Sequence, residues 1–100
     1  MMLMVYTLLP RPAADEVLDR LAADPLLSNV QTAVERTLGR LAADPFDRRL
    51  GTTAFQSPTL GAISATPVRV DDWYVFWRRG ARPRSLVIVL IHQLSVDKPG

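Results

Sequence analysis

Arginines flank a run of aromatic and β-branched side chains in the stretch VRVDDWYVFWRRG, residues 68 to 80. Guanidinium groups bind phosphates through several N–H donors, and nucleobases stack on aromatic rings, so this mixture of side chains is suited to binding nucleic acid. The same mixture also occurs in ordinary strands with solvated edges. Which description applies depends on how the stretch folds and on which side chains share a face.

A two-residue turn at Asp71-Asp72 would fold this stretch into a hairpin. Arg69 then lies opposite Tyr74, and Val68 lies opposite Val75. One face of the hairpin is apolar and suited to packing beneath helices, and the other is aromatic and basic. The apolar face comprises Val68, Val70, Trp73, Val75 and Trp77. The second face comprises Arg69, Tyr74, Phe76 and Arg78.

The second face has two interpretations. Exposed on a sheet, it is the floor of a site for an anion or a nucleic acid. Alternatively, Tyr74 and Phe76 form a small satellite core beneath the loop at residues 50 to 66, and Arg69 is solvated. The basic cluster RRGARPRS, residues 78 to 85, is a turn whose arginines either contact nucleic-acid phosphates or are simply solvated.

The composition limits the chemistry that this protein can carry. Its 100 residues are enough for one domain with one core. There is no cysteine and His92 is the one histidine, which excludes disulfides, zinc–thiolate sites and histidine metal clusters, and we expect no cofactor. The apolar start ends at Pro10, too early for a membrane span and without the features of a signal peptide, so we expect a cytoplasmic protein with no membrane partner.

Charge is unevenly distributed along the sequence. Residues 1 to 47 carry four arginines and seven acidic residues, a net charge of −3. Residues 48 to 100 carry seven arginines and one lysine against three acidic residues, a net charge of +5. The C-terminal half, which begins with Arg48 and Arg49, is therefore the half that could face an anion.

The N-terminal half predicts a strand followed by two helices. Residues 3 to 9 favour extended structure, and apolar residues then recur at helical spacing from Pro12 to about Ala23. A second helix is predicted from Ser28, which has capping-box spacing to Gln31, to the Asp-Pro at residues 44 and 45. The hexapeptide RLAADP closes both helices, at residues 20 to 25 and 40 to 45. We interpret this part as an antiparallel helix pair.

The C-terminal half predicts strands. Residues 48 to 67 form a long connection with one short strand near residues 62 to 65, where Pro67 indicates an edge or a bulge. Strands follow at residues 68 to 70 and 73 to 77, and the β-branched run at 85 to 94 is predicted to lie in the middle of the sheet. The fold class is α+β, with three or four mainly antiparallel strands after the helices and the helix pair on one face.

This order of elements and three short motifs resemble the RelE/ParE superfamily of toxins from bacterial toxin–antitoxin systems. LAADP at residues 41 to 45 is similar to the end of the second helix in that family. RVDDWYVFW at residues 69 to 77 is similar in part to its strand pair, and IVLIHQ at residues 88 to 93 to its last strand. The resemblance implies one RelE/ParE-like domain over residues 1 to 100.

The resemblance also implies an activity, that of a ribosome-associated endoribonuclease that cuts mRNA by attack of a ribose 2′-hydroxyl on the adjacent phosphate. Carried over by position, Arg69 stabilises charge on the phosphate and His92 is the general acid or base. The implied partners are a cognate antitoxin protein and the ribosome with its mRNA, without a metal. The nucleic-acid-binding candidates are Arg48, Arg49, Tyr74, Arg78, Arg79, Arg82 and Arg84.

Two alternatives are compatible with the same fold. A non-enzymatic toxin of the gyrase-inhibitor (ParE-like) type would bind DNA gyrase and would need no histidine. A member without toxicity would be a binding module, and Tyr74 favours this alternative because many members of the family have a second arginine at its position.

Overall fold

The computed structural model of the protein describes residues 5–94. A first strand, β1 (Thr7–Pro10), is followed by the helices α1 (Pro12–Ala23) and α2 (Ser28–Ala43). The later strands are β2 (Thr53–Ser57), β3 (Gly61–Pro67), β4 (Trp73–Arg79) and β5 (Ser85–Gln93). These strands form one sheet in the order β1-β5-β4-β3-β2, in which β1 is parallel to β5 and the other neighbours are antiparallel. The predicted α+β class is confirmed.

Both helices end where the repeated RLAADP sequence predicts. Proline disfavours helical backbone at the preceding residue, so each helix stops before its Asp-Pro. The aspartate carboxylate then accepts a hydrogen bond from a backbone N–H two residues later: Asp24 from Leu26 at 3.0 Å, and Asp44 from Phe46 at 3.1 Å. Within residues 5–94, no helix is long and apolar enough to cross a membrane.

The capping box predicted at Ser28 is not formed. A short 3-10 turn at Pro25–Leu27 leads directly into α2, so Ser28 is already helical and no side chain caps the helix. The Gln31 side chain donates to Glu35 one turn later instead of reaching back to Ser28. Because Asp24 caps the preceding turn, the chain enters α2 without a free N-cap position.

The core lies between the helix pair and one face of the sheet. The buried side chains from the helices include Leu21, Val34 and Leu41, and they pack with Val75 and Trp77 of β4. From β5, the buried residues on this face are Leu86, Ile88 and Ile91. β5 lies between β1 and β4, which confirms its predicted interior position. The opposite face of β4 and β5 carries no helix within residues 5–94.

The first strand is shorter than predicted within the described residues. Residues 3 to 9 were expected to be extended, and β1 covers Thr7–Pro10; residues 3 and 4 of the prediction lie outside the described part of the chain. Pro10 belongs to the strand because β1 lies at the edge of the sheet, where a residue without an N–H is tolerated. The next residue, Arg11, donates its N–H to the Ile88 carbonyl at 2.9 Å.

The short strand predicted near residues 62 to 65 is confirmed as part of β3, but the rest of the predicted connection is not a loop, because β2 pairs with β3 in a hairpin. β2 was missed because it is the edge strand on the other side of the sheet, and its residues Thr53 to Gln56 are all exposed. Without a buried face there is no alternation of apolar and polar residues to detect. Pro67, predicted to mark an edge or a bulge, is the last residue of the interior strand β3.

The turn between β3 and β4 is the predicted one, but the pairing next to it differs. Asp71 and Asp72 both have positive φ, and the Trp73 N–H donates to the Val70 carbonyl at 3.1 Å, as in a type I′ turn. Pro67, and not Arg69, lies opposite Tyr74. The register differs by two residues because β3 ends at Pro67, and residues 68 to 70, predicted as a strand, lie outside it with Arg69 at φ 69°. The faces of β4 follow from its own alternation, and Trp73, Val75 and Trp77 lie on the core side as predicted.

A buried hydrogen-bond pair ties β3 to β4 inside the core. The indole N–H of Trp77 donates to the Thr66 hydroxyl at 2.8 Å, and that hydroxyl also bonds with the Thr52 hydroxyl at 2.7 Å. We predict that Thr66→Val, which keeps the side-chain shape but leaves the indole N–H unsatisfied, lowers the free energy of unfolding in urea by about 1–3 kcal/mol.

The matched control is Thr52→Val, which leaves the Trp77 bond in place. Because Thr52 is only half-buried, its replacement should cost less than that of Thr66, at most about 1 kcal/mol. Equal losses for the two variants would show that the indole bond is not the stabilising contact.

Candidate nucleic-acid interface

The face of the sheet that the helices leave uncovered carries Tyr74 and His92 side by side. They are directly paired residues of β4 and β5, so their side chains leave the sheet on the same face. Tyr74 is half-buried and His92 is exposed. The Tyr74 ring lies 6.3 Å from that of Phe76, which in turn meets Phe55 edge-on at 6.3 Å. An aromatic row therefore leads across this face to the imidazole.

The centre of the uncovered face is apolar. A shallow cavity of about 140 Å³ lies there, and it is lined by Phe55, Ser57, Leu60, Ile63, Phe76, Val89 and Leu90. The segment expected to cover Tyr74 and Phe76 as a loop forms β2 and β3 within the same sheet, so it flanks the two rings instead of covering them. The satellite core is therefore not formed beneath a loop; Phe76 packs instead beside Phe55 of β2, and Arg69 is exposed as that alternative expected.

Arg69 does not lie on this face, contrary to the predicted pairing with Tyr74. Its Nη2 donates to the Arg49 carbonyl at 3.3 Å, and its side chain lines a cavity of about 110 Å³ beside α2 with Arg36 and Arg40. Gly51 has a φ of 71°, a left-handed conformation that favours glycine, and a Cβ there would lie 2.8 Å from that Nη2. Arg69 and His92 are at the same end of the sheet but on opposite sides of it.

The turn that carries Arg69 is attached to the end of β5. The Gln93 side chain donates to the Asp71 carbonyl at 2.8 Å, and the Leu94 N–H donates to the Asp72 carbonyl at 2.9 Å. These bonds hold the backbone next to His92 but leave the Arg69 side chain directed towards α2. Arg69 and His92, which the family resemblance assigns to catalysis, therefore lie at the same end of the sheet, but their side chains point to opposite sides of it.

Four other candidate arginines lie together at the far end of β4. By the alternation of the strand, Arg78 follows Tyr74 and Phe76 on the uncovered face, and Arg79 lies on the helix side. Four residues of strand separate Tyr74 from Arg78, a distance of roughly 13 Å. Arg82 and Arg84 belong to the connection between β4 and β5.

Arg79 is placed by an aromatic contact. Its guanidinium carbon lies 4.7 Å above the centre of the Phe46 ring, a cation–π geometry. Phe46 itself meets Tyr6 and Trp77 edge-on, with ring centres 6.1 and 6.5 Å away. The sequence analysis did not single out Phe46, because its contacts with Tyr6, Trp77 and Arg79 join residues that are distant in sequence.

Arg48 and Arg49 occupy a 3-10 turn after α2. The Arg49 guanidinium forms an ion pair with Asp47 at 2.8 Å, and its backbone N–H also donates to that carboxylate at 2.9 Å. These bonds lower the pKa of Asp47 from 3.8 to about 2 and raise that of Arg49. The Asp47 carboxylate therefore neutralises the charge of Arg49. Arg48 instead lines a cavity on the helix side with Phe46 and Trp77.

The chemistry of these groups is that of phosphate binding and proton transfer. Within residues 5–94, no three histidine, cysteine or acidic residues are grouped to hold a metal ion. The structure brings His92 and Tyr74 together at one end of the uncovered face. At the other end of β4 it places Arg78 on that face and Arg79, with Arg82 and Arg84, on the helix side. It does not bring Arg69 to either group.

The Asp47–Arg49 pair gives a prediction about pH. Because the folded-state pKa of Asp47 is below its ordinary value, the stability that the pair contributes is fully present above about pH 4 and is lost as pH falls towards 2. In Arg49→Gln, we expect the titration midpoint of the Asp47 carboxyl carbon, followed by NMR, to rise towards 3.8. It should stay slightly below that value because the backbone N–H of residue 49 still donates.

Arg48→Gln is the matched control, since it removes a neighbouring exposed guanidinium that does not bond to Asp47. Its Asp47 midpoint should stay near 2. A similar rise in both variants would attribute the low pKa to the general positive charge of this turn and not to the ion pair.

Comparison with solved structures identifies the fold. The chain resembles a chain of the toxin–antitoxin complex RelBE2 from Mycobacterium tuberculosis, with a TM-score of 0.60 and 21% sequence identity over 90% of this chain and 99% of that one. The sequence matches no protein-family model and no curated protein. The protein therefore has the RelE-like toxin fold that its motifs predicted.

Proposed function

We propose that this protein is the toxin-like component of a toxin–antitoxin pair and cleaves mRNA on the ribosome. The observation that carries the proposal is the pairing of Tyr74 with His92 on the sheet face that no helix covers. This face combines a proton-transfer group, stacking surfaces for bases and an arginine. Its fold is shared with a chain of a toxin–antitoxin complex, which supports the same setting here.

The proposed reaction is an internal transesterification. The ribose 2′-oxygen attacks the adjacent phosphorus, the bond from phosphorus to the 5′-oxygen of the next nucleotide breaks, and a 2′,3′-cyclic phosphate forms. One proton leaves the 2′-hydroxyl and one is given to the 5′-oxygen. His92 can perform one of these transfers because imidazole both accepts and donates protons near neutral pH, and the Tyr74 hydroxyl is the neighbouring group for the other.

Arginines stabilise the charge on the phosphate in this proposal. Arg78 lies on the same face as His92, at the opposite end of β4 from Tyr74. In this position it can bind a phosphate of the RNA backbone. For Arg69 to act on the reacting phosphate, its side chain must leave α2 and turn to the uncovered face. That movement breaks one hydrogen bond, the 3.3 Å contact with the Arg49 carbonyl, and Arg69 is exposed.

The antitoxin is proposed to bind the same face. Phe55 and Leu60 are 45% and 42% exposed there, and apolar side chains of a partner segment can pack against them. Such a segment would also cover Tyr74 and His92. Binding and inhibition are then one event, because RNA and antitoxin compete for one surface.

A second candidate function is the non-enzymatic one, in which the protein binds and inhibits DNA gyrase. The observation that favours it is the position of Arg69 beside α2 with Arg36 and Arg40, which leaves His92 without an adjacent arginine. In this candidate the arginines bind a protein target and the histidine has no role. A non-toxic binding member of the fold would be consistent with the same arrangement.

Inducible expression of histidine and tyrosine variants tests the proposal. We expect His92→Gln to lower the rate of mRNA cleavage by about 10²- to 10⁴-fold, the usual contribution of a general acid or base, and to relieve growth arrest. Tyr74→Phe, which removes only the hydroxyl, should slow cleavage while keeping RNA bound. Cleavage is measured on translating ribosomes by mapping new mRNA 5′ ends.

Gln56→Ala, an exposed change on β2, is the control and should remain fully active. Growth arrest with intact mRNA and a DNA-damage response would replace the proposal with the gyrase-directed function. Harmless expression of the unaltered protein would leave only a non-toxic binding role.

A further inference from the structure

We propose that a second RNA contact, a pocket for one unpaired nucleotide, lies between Tyr6, Phe46 and the connection from β4 to β5. In it the base packs against Phe46 and Arg79, and the phosphate is bound by Arg82 and Arg84. The proposal rests on the proposed function for its assumption that the ligand is RNA. It adds a site on the helix side of the sheet, away from Tyr74 and His92.

The pocket has the size and lining of a ligand site. Its volume is about 330 Å³, at the lower end of the range for small-molecule pockets. A neighbouring cavity of about 440 Å³ shares Phe46 and Arg79, so these two side chains separate two open spaces. Aromatic and arginine side chains supply its walls, together with Gly80 and Ser85.

Phe46 is an unusual side chain to leave in solvent. It is 51% exposed although its ring packs at steep angles against Tyr6 and Trp77. The Arg79 guanidinium lies 4.7 Å above the ring and occupies part of that face, so the stacking surface is the outer side of the guanidinium together with the exposed part of the ring. Nucleobases stack both on aromatic rings and on guanidinium groups, so ring and guanidinium together form a platform for a base.

The pocket is strongly positive. Arg79, Arg82 and Arg84 all line it, and no acidic residue does. In the described part of the chain, the one ion pair within 4.0 Å is that of Asp47 with Arg49, so these three arginines have no carboxylate partner there. Three arginines that line one pocket with no acidic residue in its lining favour an anionic ligand.

The connection that carries the arginines is held in one conformation. The Gly80 N–H donates to the Ser85 carbonyl at 2.7 Å, and the buried Ser85 hydroxyl donates to the Arg82 carbonyl at 2.6 Å. A Cβ at residue 80 would collide with the Ser85 side chain, so this position requires glycine. Arg84 has a φ of 55°, a left-handed conformation that is uncommon for arginine. A loop fixed in this way loses little entropy when it binds a ligand.

Titration with small probes tests whether the pocket binds a nucleotide. We expect adenosine 5′-monophosphate to bind the purified protein at least about tenfold more tightly than ribose 5-phosphate, because only the former has a base to stack. The Phe46 and Tyr6 ring signals should shift in NMR spectra. Equal affinities, or shifts confined to arginine signals, would reduce the pocket to a simple phosphate site and overturn the inference.

Variants then test the stacking platform with a short single-stranded RNA, titrated in a His92→Ala background so that the RNA is not cut. Phe46→Leu should weaken binding by about tenfold or more, and Phe46→Tyr should keep it. The comparison variant is Phe55→Leu, which alters a similarly exposed phenylalanine on the uncovered face. If only Phe55→Leu weakens binding, the RNA lies on the uncovered face alone and the pocket is not used.

Salt dependence tests the arginines. In Arg82→Gln, the slope of log affinity against log salt should fall by about 0.7, the loss of one phosphate contact on a single strand. Arg36→Gln, which replaces an exposed arginine on α2, should leave the slope unchanged, and equal slopes for both variants would contradict a role for Arg82. If wild-type protein binds nucleotide at Phe46 but does not cleave mRNA, the proposed function fails while this inference stands.

Discussion

Burial of a single face of the sheet beneath α1 and α2 is the constraint on which the rest of this structure depends. Val75 and Trp77 of β4 face the helices, so Tyr74 and Phe76 must face away. β5 follows the same rule through Ile91 and His92. The apolar core thus sets the direction of the candidate chemical groups, although none of those groups belongs to the core.

The same constraint explains why the two candidate surfaces are separate. β4 carries Tyr74 at one end of the uncovered face, and Arg79, an odd number of residues later, emerges on the helix side beside Phe46. A nucleic acid that contacts both must pass around the end of the sheet. Fold similarity at 21% identity is compatible with either a nuclease or a protein-binding toxin, because function depends on such side-chain placements and not on the sheet order.

Positive φ marks two strand ends at which an arginine is redirected. Arg69 leaves the β3–β4 pairing at φ 69°, and Arg84 stands at φ 55° just before β5. Both positions redirect an arginine at a strand end, one towards α2 and one towards the Phe46 pocket. A strand register read from alternation alone assumes that every residue continues the ladder, so it cannot anticipate either redirection.

The sequence by itself determined both helices with their Asp-Pro ends, the turn at Asp71-Asp72, the interior position of β5 and the apolar face of β4. These features follow from local periodicity, proline sterics and turn chemistry, which act over a few residues. Only the tertiary structure decided that exposed β2 joins the sheet as an edge, that Arg69 turns to α2, and that Phe46 meets Arg79. Each of these depends on a contact between residues distant in sequence, and no local pattern records such a contact.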